Sequence, residues 1–187
     1  MEERHYTRGV GEATDEALML AYRGGDVRAF ETLYRRHRGA LFRFILRSLK
    51  QRAAAEELFQ EAWMRVVEAR GRYEAQARFT TWLYTIAHNL LVDHWRRKGL
   101  TLVELDSAPE AQAADNPARQ AEAREALHRL LHAIDALPPA QREAFLLHEE
   151  AGMSVAEIAA VTKTGEEAAK SRLRYAMAKL KAALNDD

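Results

Sequence analysis

The side chains best suited to binding or chemistry lie in residues 77–98, ARFTTWLYTIAHNLLVDHWRRK. At about 100° per residue this segment predicts one helix, with a core stripe formed by Phe79, Trp82, Leu83, Ile86, Ala87 and Leu90. A second face carries Tyr84, His88, Leu91 and Trp95, and Thr85, Asn89 and Arg96 lie between the two faces. Aromatic rings beside cations, amides and hydroxyls can stack on unpaired bases and hold phosphates. The alternative is a helix buried on three sides whose terminal cations complement the helix dipole.

The predicted helix before it, residues 53–69, has two contrasting faces. One is apolar and should be buried; it consists of Leu58, Phe59, Ala62, Trp63 and Val66. The other is acidic and amide-rich, with one exposed thioether; it consists of Glu57, Gln60, Glu61, Met64 and Glu68. Such a face is commonly only solvated, but it can also bind a basic partner through charge-assisted hydrogen bonds.

The composition predicts an all-helical fold, because the chain has four prolines and is rich in Ala, Leu, Glu and Arg. Thr14 and Asp26 are candidate N-caps of two further helices near the N-terminus. The second of these helices has Gly39 as a candidate break. Its cations either form a solvated face or contact a DNA backbone. These residues are Arg35, Arg36, Arg38, Arg43 and Arg47.

The helical periodicity is interrupted over residues 99–121, where prolines, small residues and acids predict a solvated linker. Residues 1–98 contain 18 Lys and Arg against 13 Asp and Glu, a net charge of +5. The next segment, 99–123, has a net charge of −4, and residues 124–187 have −1. This asymmetry predicts two helical domains, 1–98 and 122–187, with separate partners.

The sequence pattern of the C-terminal part predicts a helix-turn-helix. Ser154 can cap a short helix through Val161, a turn follows at 162–164, and a basic helix runs from about Gly165 to Leu184. A second helix with an apolar back and a basic front fits a DNA major groove. Its outward positions are Lys170, Ser171, Arg174 and Lys181. Glu167 could accept from a cytosine amine or simply favour the helix N-terminus.

Several other kinds of chemistry are excluded. His148-Glu149-Glu150 begins like a zinc-protease motif, but Gly152 occupies the position of the second histidine. The sequence has no phosphate-binding glycine loop and no credible serine nucleophile. It has no cysteine, no apolar signal core and no stretch long enough to span a membrane. We therefore expect a cytoplasmic protein that is not an enzyme and that needs no metal or cofactor.

Taken in order, these features resemble the extracytoplasmic-function (ECF) group of RNA polymerase sigma factors. The resemblance rests on AEELFQEAW (55–63), on residues 77–98, and on ALPPAQREAFLLHEEAGMSVAEIAAV followed by KSRLRYAMAKL. It extends from about Asp15 to Leu184 apart from the linker. It implies a factor that binds core RNA polymerase at its clamp and flap, recognises and melts promoter DNA, and is restrained by an anti-sigma factor. We expect it to be monomeric when free and not inserted in a membrane.

The resemblance also implies roles for particular residues. The contact with the polymerase clamp would be made by Glu57, Gln60, Glu61 and Met64. The downstream promoter element would be held by Tyr73, Arg78, Tyr84, His88, Asn89, Trp95, Arg96 and Arg97. The upstream element would be read by Glu167, Lys170, Ser171, Arg174 and Lys181. The acidic linker would either mimic a phosphate chain in a polymerase channel or act as a passive tether.

The turn of the helix-turn-helix departs from the family pattern. The family usually has a glycine early in the turn and a Gly-Thr-Val run entering the second helix, whereas this chain has Lys163, Gly165 and Glu167-Ala168-Ala169. The alternative function is a stand-alone helix-turn-helix regulator that does not bind polymerase. Such a regulator would usually need a dimer interface or a ligand domain, and the N-terminal half offers an acidic docking face instead. We therefore favour the sigma factor.

Overall fold

A computed structural model describes residues 13–99 and 120–185 of the chain. The predicted linker therefore lies almost entirely outside the described residues. Within the described ranges every regular element is helical, and a helix-turn-helix ends the chain. The predicted fold class is confirmed.

The N-terminal half contains four α-helices: α1 (Asp15–Arg23), α2 (Val27–Leu49), α3 (Arg52–Ala69) and α4 (Phe79–Arg97), with a 3-10 turn at Arg70–Arg72. Both predicted N-caps are present. Thr14 Oγ1 accepts a hydrogen bond from the Ala17 N–H at 3.2 Å, and Asp26 Oδ1 accepts one from the Arg28 N–H at 2.9 Å. These caps satisfy backbone donors that have no partner within the helix.

The candidate break at Gly39 is wrong, because α2 runs through it without interruption. A glycine in a helix costs about 1 kcal/mol relative to alanine. Leu33 on one side of it and Leu41 on the other are fully buried. Burying such side chains stabilises the helix by about 1.5–3 kcal/mol each, and this outweighs the cost.

The N-terminal core is largely aromatic. Trp63 of α3 packs edge-on against Phe30 and Tyr34 of α2, at centroid distances of 5.8 and 5.0 Å. Phe44 of α2 meets Tyr84 of α4 at 5.1 Å. Helix α4 also contacts α3 directly. It is therefore held against both α2 and α3.

The C-terminal half consists of α5 (Gln120–Ala136), α6 (Pro139–Ala151), α7 (Val155–Thr162) and α8 (Glu166–Asn185). Pro139 begins α6, where its missing N–H is not needed. Ser154 and Glu157 form a reciprocal capping box at the start of α7. Ala169, Ala176 and Leu180 are buried, and they form the apolar back of α8 that the periodicity predicts.

The two halves pack against each other. Helix α2 contacts α6, α4 contacts α7, and the buried apolar side chains of both halves form one hydrophobic cluster. That each half folds independently stays a prediction. None of the described helices has the length and apolar character needed to cross a membrane.

Candidate protein and nucleic-acid interfaces

Helix α3 presents its acidic face to solvent. Glu57 and Gln60 are exposed, and Met64 is 57% exposed. Glu61 is half-buried and accepts from Arg65 Nη2 one turn later at 2.8 Å. Trp63 lies on the opposite side and is buried. The predicted division of this helix into two faces is confirmed, except that Phe59, expected to be buried, is only partly covered.

A groove of about 450 Å³ lies beside this face, between α3 and α4. Its lining includes Glu61, Met64, Arg65, Glu68, Trp82 and Ile86. The periodicity assigns Trp82 and Ile86 to the core stripe, but both are only partly buried. They give the groove an apolar wall beneath a charged rim. Sequence reasoning missed the groove, because a period says which residues share a face but not how completely that face is covered.

Four of the residues predicted to hold the downstream element are buried: Tyr73, Tyr84, His88 and Trp95. The expectation that Tyr84 and Trp95 lie on an open face is wrong. The alternative, a helix buried on three sides, describes α4, because α2, α3 and α7 all pack against it. Burial raises the pKa of the Tyr84 phenol well above its ordinary value and that of Tyr73 to about 12.

The other four predicted contacts, Arg78, Asn89, Arg96 and Arg97, reach solvent to different extents. Arg78 Nη1 lies 3.4 Å from Glu157 Oε1, and Asn89 Oδ1 accepts from Lys163 Nζ at 2.8 Å. Arg96 pairs with Asp93 on its own helix at 2.9 Å. Arg78 and Asn89 therefore contact the C-terminal half, whereas Arg96 and Arg97 lie exposed at the end of α4.

The turn of the helix-turn-helix closes without its usual glycine. Lys163 takes the left-handed conformation, with φ 54° and ψ 44°. A non-glycine residue there costs roughly 1–2 kcal/mol. The Thr162 and Thr164 hydroxyls lie 3.0 Å apart across the turn, and Lys163 itself bonds Asn89. These contacts hold a turn whose geometry the sequence left open.

Helix α8 presents a mixed outward face. Glu167, Lys170, Arg174 and Lys181 are exposed, and Ser171 is half-buried. Lys170 Nζ lies 3.8 Å from Glu167 Oε1, so these two charges partly offset each other.

Tyr175 adds an aromatic ring to the surface of α8. It is 52% exposed and lies 5.0 Å beneath the Arg174 guanidinium. Sequence reasoning missed Tyr175, although an aromatic residue outside the buried stripe of a basic helix is the signal that marks it. An apolar group there can contact a thymine methyl.

Across residues 13–99 and 120–185, no group of three or more His, Cys, Asp or Glu side chains is placed to hold an ion.

Two family models match the chain. The model described as Sigma-70 region 2 matches residues 33–101, and the model described as Sigma-70, region 4 matches residues 127–180. The first therefore includes most of α2 with all of α3 and α4, and the second contains the complete turn of the helix-turn-helix.

Curated relatives align along nearly the whole chain. RNA polymerase sigma factor CarQ of Myxococcus xanthus is 34% identical over 171 residues, which are 90% of this chain and 96% of CarQ. ECF RNA polymerase sigma factor BldN of Streptomyces coelicolor is 32% identical over 189 residues, covering 93% of this chain and 69% of BldN.

Solved structures show the same arrangement of helices. CnrH, in complex with the cytosolic domain of CnrY, has a TM-score of 0.66 at 27% identity and covers 92% of this chain and 98% of its own. Sigma factor RpoE of Bartonella quintana, in complex with the anti-sigma factor NepR, has a TM-score of 0.67 at 25% identity, with coverages of 86% and 99%.

Proposed function

This chain belongs to the ECF group of RNA polymerase sigma factors, which bind core polymerase and promoter DNA, and from that premise we propose how its surfaces divide the work. Polymerase docks on α3, the upstream promoter element on α8, and the downstream element on α4. Sigma factors are DNA-recognition subunits, so the chain leaves catalysis to the polymerase and acts in the cytoplasm, where transcription takes place.

The polymerase contact consists of Glu57, Gln60, Glu61 and Met64. The supporting observation is that this face is exposed and acidic, while Trp63 opposite is buried. Carboxylates form strong bidentate contacts with arginines of a partner, and a basic helix of the polymerase clamp is such a partner. The neighbouring groove beside Met64 can receive an apolar side chain from the same helix.

The upstream element is bound by the outward face of α8, formed by Glu167, Lys170, Ser171, Arg174 and Lys181. Its cations hold phosphates and so position the helix in the major groove. The same C-terminal half docks on the polymerase flap.

The downstream element meets α4 in two stages. The exposed cations Arg96 and Arg97 contact phosphates first, with no rearrangement of the protein. Arg78, Asn89 and the buried side chains Tyr73, Tyr84, His88 and Trp95 can reach a separated strand only after the packing around them opens.

An anti-sigma factor is proposed as the restraining partner, with the free chain monomeric. The restraining partner is supported by the solved RpoE complex, in which a chain of similar fold is bound to the anti-sigma factor NepR. An anti-sigma factor that covers α3 or α4 would prevent the polymerase or promoter contact.

The observation that carries the proposed function is the exposed acidic face of α3 in a chain that also carries a helix-turn-helix. The proposed function is tested by transcription in vitro with purified core polymerase and a genomic promoter library. We expect a defined set of transcripts that depends on both the chain and core. Promoter binding at full affinity without core, together with no chain-dependent transcript, would instead indicate a stand-alone regulator.

A further inference from the structure

The loop between α3 and α4 is exposed but anchored at both ends. Residues 74–78 are all exposed, whereas Tyr73 before them and Phe79 after them are buried. The rings of Tyr73 and Phe79 meet edge-on at a centroid distance of 6.3 Å. The two ends of the loop are therefore held close together, and the residues between them face solvent.

Helix α1 holds each end of this loop through one hydrogen bond. Arg23 Nη1 donates to the Tyr73 carbonyl oxygen at 2.8 Å, and Glu16 Oε1 accepts from the Phe79 N–H at 2.7 Å. The Arg70 guanidinium, in the 3-10 turn before the loop, lies 5.2 Å from the centre of the Tyr22 ring of α1. One short helix therefore contacts the loop where it begins, where it ends and at the turn that leads into it.

Glu16 also completes the start of α4. The N-cap position of this helix is Arg78, whose side chain makes no capping hydrogen bond. The first backbone N–H groups of a helix have no partner within it, and the helix dipole favours a carboxylate beside them. Glu16 supplies that carboxylate from 63 residues earlier in the sequence. It therefore holds the first turn of α4, and with it the backbone from which Arg78 extends.

Both anchoring bonds are made to backbone atoms at the ends of the loop. They fix the path of the chain without occupying the side chains of residues 74–78. Both bonds also lie within the N-terminal half of the chain. The anchoring of the loop by α1 therefore does not depend on where the C-terminal half lies.

We propose that Glu16 and Arg23 are positioning residues for recognition of the downstream promoter element, because they hold the loop 74–78 in the shape that a separated strand meets. The inference rests on the proposed function, in which Tyr73 and Arg78 serve that element. It adds a role for α1, which precedes the residues 33–101 that match the region 2 model.

The physical reason is the order of the loop before it binds. A loop that is already ordered loses less conformational entropy on binding, and it accepts fewer alternative strand shapes. Loss of either anchor should therefore reduce discrimination between promoter sequences more than it reduces promoter binding as a whole.

The test uses the full-length chain with core polymerase and matches each disruptive variant with a conservative one. Glu16→Ala and Arg23→Ala remove the anchoring groups. Glu16→Gln keeps an oxygen that can accept the same backbone N–H, and Arg23→Lys keeps a cation that can donate to the same carbonyl. Glu31→Ala and Arg28→Ala are the matched controls, because both residues are exposed on the neighbouring helix α2.

The first measurement is a ratio of affinities. The polymerase complex is bound to a promoter recovered in the in-vitro transcription experiment, and to copies of that promoter substituted at single positions of the downstream element. A variant that only weakens the fold or the binding to core lowers affinity for every promoter alike. It therefore leaves the ratio between the original and the substituted promoters unchanged.

The second measurement is the mobility of the loop in the free chain. A dye is attached at Ala75→Cys, an exposed position of the loop in a chain without native cysteine. Time-resolved fluorescence anisotropy then reports the rotational freedom of the dye in the parent and in each variant.

We expect Glu16→Ala and Arg23→Ala to make the dye more mobile and to lower the ratio by about tenfold, the scale of one hydrogen bond to a charged group. Glu16→Gln and Arg23→Lys should stay close to the parent in both measurements. Glu31→Ala and Arg28→Ala should change neither the mobility of the dye nor the ratio.

Two results would overturn the inference and leave the proposed function intact. An unchanged ratio with a more mobile dye would mean that the order of the loop does not select the strand. No change in either quantity would mean that α1 does not position the loop. In both cases the parent chain would still support core-dependent transcription. If the parent supports none, the proposed function fails, and this inference fails with it.

Discussion

His88 Nδ1 of α4 lies 2.6 Å from Glu143 Oε1 of α6, and both side chains are only 6% exposed. The two residues are 55 positions apart and come from opposite halves of the chain. Burying a polar group costs free energy unless the group is hydrogen-bonded. The pair therefore helps to hold the helix-turn-helix half against α4, beside the packing of α7 on the same helix.

Replacing Glu143 with Ala should be costly, because it leaves the His88 ring buried without this partner. We expect the free energy of unfolding to fall by about 1–3 kcal/mol. Glu149→Ala, at an exposed position of the same helix, should change it by about 0.5 kcal/mol or less. Urea unfolding followed by circular dichroism measures both, and equal effects would mean that the contact contributes nothing.

The polymerase face on α3 is tested by reversing its charge. Glu57→Arg together with Glu61→Arg should weaken binding to core polymerase, since a basic surface of the clamp would then be repelled. Stability should change by about 0.5 kcal/mol or less per substitution, because neither residue belongs to the buried core. Glu31→Arg with Glu149→Arg alters the net charge equally at two exposed positions elsewhere. Identical core affinity for the two double variants would remove the assignment.

The phosphate contacts of α8 predict a change in salt dependence. Replacing Lys170, Arg174 and Lys181 with Ala should lower affinity for an upstream promoter duplex. It should also flatten the plot of log affinity against log salt by about one for each lost contact. Lys179→Ala is the control, because Lys179 is exposed on the same helix but lies on another side of it by helical periodicity. A triple variant with the parent's salt slope would show that the face is only solvated.

Local chemistry made much of the fold predictable. Thr14, Asp26 and Ser154 each cap a helix as expected, because an N-cap depends only on neighbouring backbone donors. The predicted break at Gly39 failed for the opposite reason. Whether the helix continues there depends on burial of the side chains around Gly39, and a local sequence pattern does not contain that information.

The candidate sites were predictable only in part. Periodicity placed Tyr84 and His88 together on one face of α4, which is correct. It could not say what covers that face, because Phe44 and Glu143 come from distant parts of the chain. The exposure of Glu57 and Gln60 was easier to predict, since no other element needs to pack on an acidic surface.

Trp95 and Arg97 separate packing from strand binding at the end of α4. Trp95 is buried, so Trp95→Ala should lower the free energy of unfolding by about 3–5 kcal/mol. Arg97 is exposed, so Arg97→Ala should leave stability nearly unchanged and weaken strand opening by polymerase. Thermal melting of the free chain and permanganate footprinting of the promoter complex measure the two effects. A stable Trp95→Ala chain that fails to open the promoter would restore Trp95 as a stacking platform.

Glu157 links the capping box of α7 to the N-terminal half, and this predicts a pH dependence. Its carboxylate accepts from the Ser154 N–H and hydroxyl at 2.9 Å and from the Thr81 hydroxyl at 3.2 Å. Burial alone would raise the pKa of Glu157, but these hydrogen bonds and the charge of Arg78 hold it below the ordinary value of 4.5. The charged form therefore favours the folded chain.

The stabilisation from a lowered pKa is present above the unfolded-state value and is lost as the pH falls through the folded-state value. Glu157→Gln removes the charge and keeps one acceptor oxygen. We expect the parent to exceed this variant in free energy of unfolding at neutral pH, and the difference to shrink below about pH 4.5. Glu149→Gln, without these partners, serves as the control. A difference that stays constant or grows on acidification would mean that the charge of Glu157 does not hold α7 against α4.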